Sequence, residues 1–158
     1  MYDSIIIGGG PAGIAAAIYM ARQKLNFALI TGEIGGQVIY SSEVENYLGL
    51  HETTGVQMVG KFQEHLDDYK EMFDLMEGQK ATQIKKMNGT FQVFTEKGSY
   101  TTKTILIATG AKHRKLKVPG EAELEGKGVT YCATCDAPLF KDKVVAVVGG
   151  GNSAMESA

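Results

Sequence analysis

The chain has 158 residues, enough for one ordinary domain or for one domain and the beginning of another. Hydrophobic residues make up 44% of it, charged residues 22%, and the formal net charge is −2. This balance is typical of a soluble globular protein and argues against binding to nucleic acid or to a membrane surface, and no apolar run approaches the roughly 20 residues of a membrane span.

The chain begins with a pattern of strand, glycine turn, helix and strand. Residues 3–7 are a β-branched run, residues 14–23 have apolar side chains at helical spacing, and residues 26–31 are again strand-like. Such a unit of about 30 residues places two parallel strands side by side, joined by a right-handed helical crossover. The start of the chain carries no basic leader, so we expect a cytoplasmic protein. The predicted buried face of the helix consists of Ile14, Ala17, Ile18 and Ala21.

A dinucleotide-binding fingerprint lies between the first strand and the helix. Gly8, Gly10 and Gly13 have its spacing: the first permits the tight turn, the second lets a pyrophosphate approach, and the third allows close packing. Pro11 removes a backbone donor only where the start of a helix has spare ones. Glu33 follows Gly13 by about 20 residues, where an acid would hydrogen-bond ribose hydroxyls. A glycine turn without a ligand is the alternative interpretation.

The middle of the chain predicts a loop and a second helix. Residues 32–55 are irregular, rich in glycine and polar residues, and long enough to suggest a segment that binds something or moves. Residues 56–69 predict an amphipathic helix. Its apolar stripe consists of Val56, Val59, Phe62, Leu66 and Tyr69.

Short strands follow this helix. Strands around residues 81–87, 90–95 and 99–103, separated by Asn-Gly and Lys-Gly turns, predict an antiparallel meander. Residues 104–108 predict a buried strand. Residues 112–121 are charged and end in Pro-Gly-Glu, which is typical of a linker.

Cys132 and Cys135, the two cysteines of the chain, form a Cys-x-x-Cys motif followed by Asp136. If residues 131–137 form a helical turn, the cysteines share one face within disulfide range, and the helix N-terminus stabilises the first thiolate. Asp136 could exchange a proton with a departing thiolate, as reversible dithiol–disulfide exchange requires, or could be an ordinary surface acid. A zinc site, which needs two further ligands, and a pair of inert buried thiols are the alternatives.

A second glycine turn follows the cysteines. Residues 143–148 predict an apolar strand that leads into Gly149, Gly151 and Ala154, which repeat the fingerprint with alanine in the third position. The residue that would select NADH or NADPH would come after Ala158, so we expect the chain to be part of a longer protein. Because the cysteine pair lies between two nucleotide turns, we favour a redox dithiol served by nucleotide cofactors.

Taken together, the motifs resemble those of the low-molecular-weight thioredoxin reductases and of the related alkyl hydroperoxide reductase flavoproteins. The resemblance covers the entire chain and rests on six motifs in the family's order. They are GGGPAG at 8–13, TGEIGGQV at 31–38, EVENYLG at 43–49, IATGA at 107–111, CATCD at 132–136 and GGGNSA at 149–154.

The resemblance implies an FAD site and a nicotinamide site. Asn46 would lie near the isoalloxazine ring. The residues implied for FAD are Gly8, Gly10, Pro11, Ala12, Gly13, Glu33, Gly36, Gln37, Val38, Asn46, Thr109, Gly110 and Ala111. Those implied for NADPH or NADH are Gly149, Gly151, Asn152, Ser153 and Ala154.

The resemblance also implies a direction of electron flow: from NADPH to FAD, to the Cys132–Cys135 disulfide, and then to thioredoxin or a thioredoxin-like protein. Cys135 would be the flavin-side thiol, Cys132 the thiol that attacks the partner, and Asp136 the acid. Residues 137–140 are closer to the peroxiredoxin-reductase type, whose additional N-terminal domain is absent, which favours a separate partner. Alternatives are a flavin reductase that uses ferredoxin or another donor, a non-catalytic FAD-binding redox sensor, and a zinc-binding interaction module.

These features predict an α/β fold: a Rossmann-type parallel sheet with an antiparallel β-meander, followed by the start of a second Rossmann-type domain. We expect the N-terminal segment of an FAD domain at residues 1–112, a linker at 113–121, and the start of an NAD(P)H domain at 122–158. We also expect no nucleic-acid or membrane partner and a homodimeric full-length protein.

Overall fold

The computed structural model describes residues 1–41 and 43–158, without the side chains of Thr134 and Cys135. The described chain divides into two compact units, Met1–Ala111 and Lys112–Ala158. None of the described helices has the length and apolar character of a membrane span.

The first unit is built on a six-stranded sheet with the strand order β3-β2-β1-β6-β5-β4. Strands β3, β2, β1 and β6 are parallel, and β5 pairs antiparallel with both β6 and β4. This arrangement confirms the predicted fold class, a parallel sheet extended by a meander. The strands are β1 (Tyr2–Gly9), β2 (Phe27–Ile34), β3 (Asp74–Glu77), β4 (Ala81–Met87), β5 (Thr90–Thr95) and β6 (Gly98–Ile107).

Two helices accompany the sheet, α1 (Pro11–Arg22) and α2 (Gly55–Asp67). The buried side chains of β1 and β2 alternate between two clusters, because successive residues of a strand face opposite sides. Both clusters are apolar, as expected for central parallel strands that are covered on both sides. One cluster contains Ile6, Phe27 and Leu29 with Ile14, Ala17 and Ala21 of α1, and the other contains Ile5, Ile7, Ala28, Ile30 and Val93.

The predicted faces of the two helices are confirmed in most positions. In α1 only Ile18 of the predicted face is partly exposed. Helix α2 begins with a capping box between Thr54 and Gln57, which fixes its first turn. The prediction for Val56 is wrong, because 63% of its surface is exposed, whereas Met58 two residues later is buried.

The structure differs from prediction in two strands. The separate strands expected at 99–103 and 104–108 are one continuous strand, β6, which changes partner at Thr102: residues before it pair with β5, and residues after it pair with β1. No turn residue separates the two halves, because the strand continues in the same backbone conformation and only its pairing partner changes. Strand β3 was not predicted, since its four residues lie at the sheet edge and show no alternation of buried and exposed side chains.

The second unit contains three short helices, α3 (Glu121–Leu124), α4 (Ala133–Asp136) and α5 (Asn152–Ser157). The strand predicted at residues 143–148 is wrong: this described segment has no regular structure, and its four valines are all exposed. A strand needs a hydrogen-bonded neighbour, and all six described strands belong to the first unit. The segment therefore remains irregular despite its apolar composition.

Candidate functional site

The fingerprint turn connects β1 to α1 in the first unit. Gly10 is the N-cap of α1, in extended conformation, and Pro11 is the first helical residue. The N–H groups of a helix's first turn have no acceptor within the helix, and a glycine N-cap has no side chain to cover them. The exposed Ala12 and the neighbouring backbone therefore present donors to a ligand at this end of α1.

The three fingerprint glycines have different surroundings. A Cβ added at Gly8, where φ is +113°, would lie 2.3 Å from the carbonyl oxygen of Ala108, and one added at Gly13 would lie 1.8 Å from that of Gly8. These two positions are required by packing. At Gly10, in contrast, the nearest heavy atom would be the Gly36 Cα, 4.0 Å away. Gly10 thus borders an open cradle, in which a ligand can approach the backbone.

The end of β2 closes one side of the turn. The Gly35 N–H donates to the Gly9 carbonyl oxygen at 2.8 Å, and a Cβ at Gly36 would lie 3.1 Å from the Gly10 Cα. Glu33 is exposed at this end of β2. Thr31, which was not among the predicted site residues, connects the turn to Glu33 through its side-chain hydroxyl.

The end of β6 closes the other side. The Ala108 N–H donates to the Ile7 carbonyl oxygen at 2.8 Å, and the Thr109 Cα would lie 3.1 Å from a Cβ at Gly8. Gly110 and Ala111 continue this segment on the surface, with Gly110 at a φ of +66°. The fold therefore brings the two glycine-containing motifs that end β2 and β6 to the same edge of the sheet.

Three further residues predicted for FAD lie after β2. Gln37 and Val38 belong to a 3₁₀ turn, Gly36–Tyr40, with Gln37 exposed and Val38 half-buried. None of the contacts described above involves Asn46, which is exposed on the loop between the β-bridges Val44–Thr53 and Tyr47–Leu50.

The Cys-x-x-Cys motif lies at the short helix α4 in the second unit: Cys132 directly precedes this helix, and Cys135 belongs to it. The Asp136 N–H donates to the Cys132 carbonyl oxygen at 3.0 Å, and the Cys132 N–H donates to the Thr130 hydroxyl at 3.2 Å. Cys132 is half-buried and disulfide-bonded. The side chain of Cys135 lies outside the described part of the structure, so its predicted role stays a prediction. The Thr130 hydroxyl also donates to the Asp136 carboxylate.

Glu121 organises the segment that leads to this motif. It is 7% exposed, and its carboxylate accepts hydrogen bonds from the Leu116 N–H at 2.9 Å, the Lys117 N–H at 2.5 Å and the Tyr131 hydroxyl. Tyr131 directly precedes Cys132. The carboxylate therefore ties the otherwise irregular backbone before α3 to the residue next to the first cysteine.

These contacts lower the pKa of Glu121. Partial desolvation acts to raise it, but the backbone N–H groups of Leu116, Lys117 and Val118, together with the charge of Lys115, favour the ionised form more strongly. Sequence reasoning missed this residue because two of its three hydrogen-bond donors are backbone N–H groups, which leave no signature in the sequence.

The second glycine turn precedes α5. Gly149 has a φ of +138°, and a Cβ there would lie 3.2 Å from the Ala154 Cβ, so the third-position alanine packs against the first glycine. Gly151 is the N-cap of α5, and the Ala154 N–H donates to its carbonyl oxygen at 3.0 Å. Asn152 and Ser153 are exposed in the first turn. No group of three or more His, Cys, Asp or Glu residues in the described chain could hold a metal ion.

Comparison with known proteins places these features in a family context. Residues 2–158 match the family model described as pyridine nucleotide-disulphide oxidoreductase. The F subunit of alkyl hydroperoxide reductase from Staphylococcus aureus is 46% identical over 158 residues, which are 99% of this chain and 31% of that protein. The chain therefore spans about a third of this curated relative.

Solved structures show the same architecture. A thioredoxin reductase from Streptococcus pyogenes superimposes with a TM-score of 0.84 and 43% identity, covering 100% of this chain and 51% of that one. A ferredoxin-flavin thioredoxin reductase from Clostridium acetobutylicum gives a TM-score of 0.66 and 36% identity, covering 99% of this chain and 54% of that one.

Proposed function

Because the chain belongs to the pyridine nucleotide-disulphide oxidoreductase family, we propose that it supplies the flavin cradle and the dithiol of an FAD-dependent disulfide reductase. The full-length protein would pass electrons from NADPH or NADH to thioredoxin or a thioredoxin-like protein. The observation that supports this most directly is the open cradle at Gly10, at the N-terminus of α1. The family match covers both this cradle and the cysteine pair.

The residues at the sheet edge fit the parts of FAD. The first-turn N–H groups of α1 would bind the pyrophosphate, and the exposed carboxylate of Glu33 would accept hydrogen bonds from ribose hydroxyls. Segments 36–38 and 109–111, together with Asn46, would line the remainder. Bound FAD supplies two-electron chemistry, accepting a hydride from nicotinamide and reducing a disulfide.

The cysteine pair would carry out thiol exchange with the partner. The Cys132 thiolate attacks one sulfur of the partner disulfide, forming a mixed disulfide and releasing the other partner sulfur as a thiolate. The Cys135 thiolate then attacks the Cys132 sulfur, which releases the second partner thiolate. The partner gains two electrons and, after protonation, two hydrogens, while the pair becomes a disulfide.

Asp136 would exchange protons during these steps. Its carboxylate lies one residue after Cys135 and accepts a hydrogen bond from the Thr130 hydroxyl, which also accepts the Cys132 N–H. Thr130 thus connects the backbone of the first cysteine to the acid. In the parent protein, the turn at 149–154 would bind the coenzyme, and we expect that protein to be a homodimer.

The test uses the purified full-length protein, loaded with FAD and supplied with NADPH or NADH. Its reduction of oxidised thioredoxin is measured by the amount of free thiol released. We expect turnover that is lost in Cys132→Ser and in Cys135→Ser, with FAD still bound. Glu64→Gln is a matched surface control on α2, where Glu64 pairs with the exposed Lys61 and should leave turnover unchanged. No thioredoxin reduction with either coenzyme would refute the proposal.

A second donor needs a direct test, because one structural relative of 36% identity is described as a ferredoxin-flavin thioredoxin reductase. If ferredoxin is the donor, reduced ferredoxin will bleach the bound flavin under anaerobic conditions and NADPH and NADH will not. Bleaching by a nicotinamide coenzyme identifies the first candidate instead.

A further inference from the structure

We propose that Thr31 is a positioning residue that couples the fingerprint turn to Glu33, the acid placed to bind ribose. This inference rests on the proposed FAD site and adds a residue to it. Thr31 lies on β2 with 6% of its surface exposed. It would touch neither the cofactor nor the reacting sulfurs, and would act through the two backbone groups that its hydroxyl connects.

The hydroxyl of Thr31 makes two hydrogen bonds. It accepts from the Gly9 N–H at 2.9 Å and donates to the Glu33 carbonyl oxygen at 2.6 Å. These directions follow from the partners, because a backbone N–H can only donate and a carbonyl oxygen can only accept. One side chain therefore uses its single proton and one lone pair to join the glycine turn to the acid-bearing end of β2.

This bridge lies where the strand pairing is interrupted. Ile7 pairs with Ile30 and Gly9 pairs with Ile34, so one residue of β1 between these pairs faces three residues of β2. The pairing is irregular over these three residues, the last of which is the exposed Glu33. Regular pairing resumes at Gly9, whose carbonyl oxygen accepts the Gly35 N–H.

The Thr31 hydroxyl takes the place of a backbone partner within the bulge. Gly9 donates to this side chain at the point where the regular pairing of β1 with β2 is interrupted. The fit is close, since a Cβ added at Gly9 would lie 2.6 Å from the Thr31 Oγ1 and 2.8 Å from the Glu33 carbonyl oxygen. One buried hydroxyl thus joins the backbone of Glu33 directly to the turn.

Thr31→Val tests this role because valine keeps the branched shape and removes the hydroxyl. Thr102→Val is the matched control: Thr102 is also a buried strand threonine whose hydroxyl donates to the carbonyl two residues later, at 2.9 Å to Thr104. It pairs with Tyr2, at the opposite end of β1 from the turn. Both variants lose a buried hydroxyl that also contacts a neighbouring strand, but only Thr31→Val loses the link to the fingerprint turn.

The measurement is an FAD titration of the full-length apoprotein, followed by flavin fluorescence, with the melting temperature of each apoprotein recorded alongside. We expect Thr31→Val to bind FAD about tenfold more weakly, which corresponds to the net loss of about one hydrogen bond. Thr31→Ser should bind like the wild type. Thr102→Val should lower the melting temperature without changing the affinity for FAD.

Coupling to the acid is tested in the Glu33→Gln background. If Thr31 acts by placing Glu33, the effect of Thr31→Val on FAD affinity will shrink to about twofold there, as expected for residues that act together. Equal weakening by the Thr31 and Thr102 variants, or an undiminished effect in Glu33→Gln, overturns the inference. Should Thr31→Val not fold, Thr31→Ala compared with Thr31→Ser decides the same question.

The outcomes separate this inference from the proposed function. If the wild-type protein binds no FAD, the proposed function fails and this role fails with it. If the wild type binds FAD and Thr31→Val binds it equally well, the proposed function stands and only the positioning role is refuted.

Discussion

Replacing single glycines of the fingerprint by alanine distinguishes glycines that the fold requires from a glycine that ligand binding requires. At Gly13, an alanine Cβ would lie 1.8 Å from the Gly8 carbonyl oxygen, so either the helix or the strand must shift. Overpacking of this kind costs about 1–3 kcal/mol of unfolding free energy, and contact with backbone puts Gly13→Ala at the upper end of that range.

At Gly10 the same change should leave the fold intact. The backbone there is extended, with φ −76° and ψ −179°, and the nearest atom to a new Cβ is 4.0 Å away. Alanine is a poorer N-cap than glycine, which destabilises the fold. This cost is offset by about 0.4–1 kcal/mol, because alanine lowers the conformational entropy of the unfolded chain. We therefore expect the free energy of unfolding of Gly10→Ala to change by no more than about 0.5 kcal/mol.

The same methyl group would occupy the cradle proposed for the pyrophosphate. Gly10→Ala should weaken FAD binding about tenfold or more, that is by about 1.4 kcal/mol. Urea unfolding of the apoprotein and FAD titration measure the two effects. Gly60→Ala is the control, because Gly60 lies in α2 with no atom within 4 Å of a new Cβ and should leave FAD affinity unchanged.

The reasoning is refuted if Gly10→Ala binds FAD as tightly as the wild type, or if it destabilises the protein as much as Gly13→Ala does. The first result would mean that no ligand approaches the backbone there. The second would mean that Gly10 serves the fold, as the other two glycines do.

Two further predictions concern titrating groups. The lowered pKa of Glu121 means that its contribution to stability is present above the ordinary carboxyl pKa and is lost as the pH falls through the folded-state value. Glu121→Gln should therefore flatten the acid limb of the unfolding free energy measured in urea, and an unchanged limb would contradict the assignment. Burial, followed by the 2.6 Å hydrogen bond to Asp74, raises the pKa of Tyr2 to about 12. Its stabilising contribution is then present below the ordinary tyrosine pKa of about 10 and is lost as the pH rises through the folded-state value. Tyr2→Phe should remove one phenol that titrates near pH 12 in the ultraviolet spectrum and lower the free energy of unfolding by about 1 kcal/mol. Loss of a phenol that titrates near its ordinary value would contradict both the burial of the hydroxyl and its hydrogen bond to Asp74.

The parts of the fold that were predicted depend on signals local in sequence. The run Ile5–Ile7 followed by glycines indicates a buried strand and a turn, and the alanine-rich segment after it indicates a closely packed helix. In each case neighbouring residues suffice to specify the backbone.

The parts that were missed depend on distant partners. Thr31 looks like any strand threonine until Gly9 and Glu33 are brought to it by the bulge. The valines at 143–148 have strand propensity, yet the described chain offers them no neighbouring strand. Glu121 resembles a surface acid, although three donors converge on it. The structural propensity of a residue does not indicate whether the fold supplies a neighbouring strand or a hydrogen-bond partner for it.

The pairing of β6 with β1 also constrains when the protein can fold during its synthesis. Strand β1 emerges first, but one of its two neighbours is β6, and Ser4 pairs with Thr104, 100 residues later. A ribosome must therefore release nearly the whole first unit before the centre of the sheet is complete, and until then β1 has an unpaired apolar edge. Nascent chains arrested before β6 should depend on chaperones, while chains extended past Ile107 should resist protease.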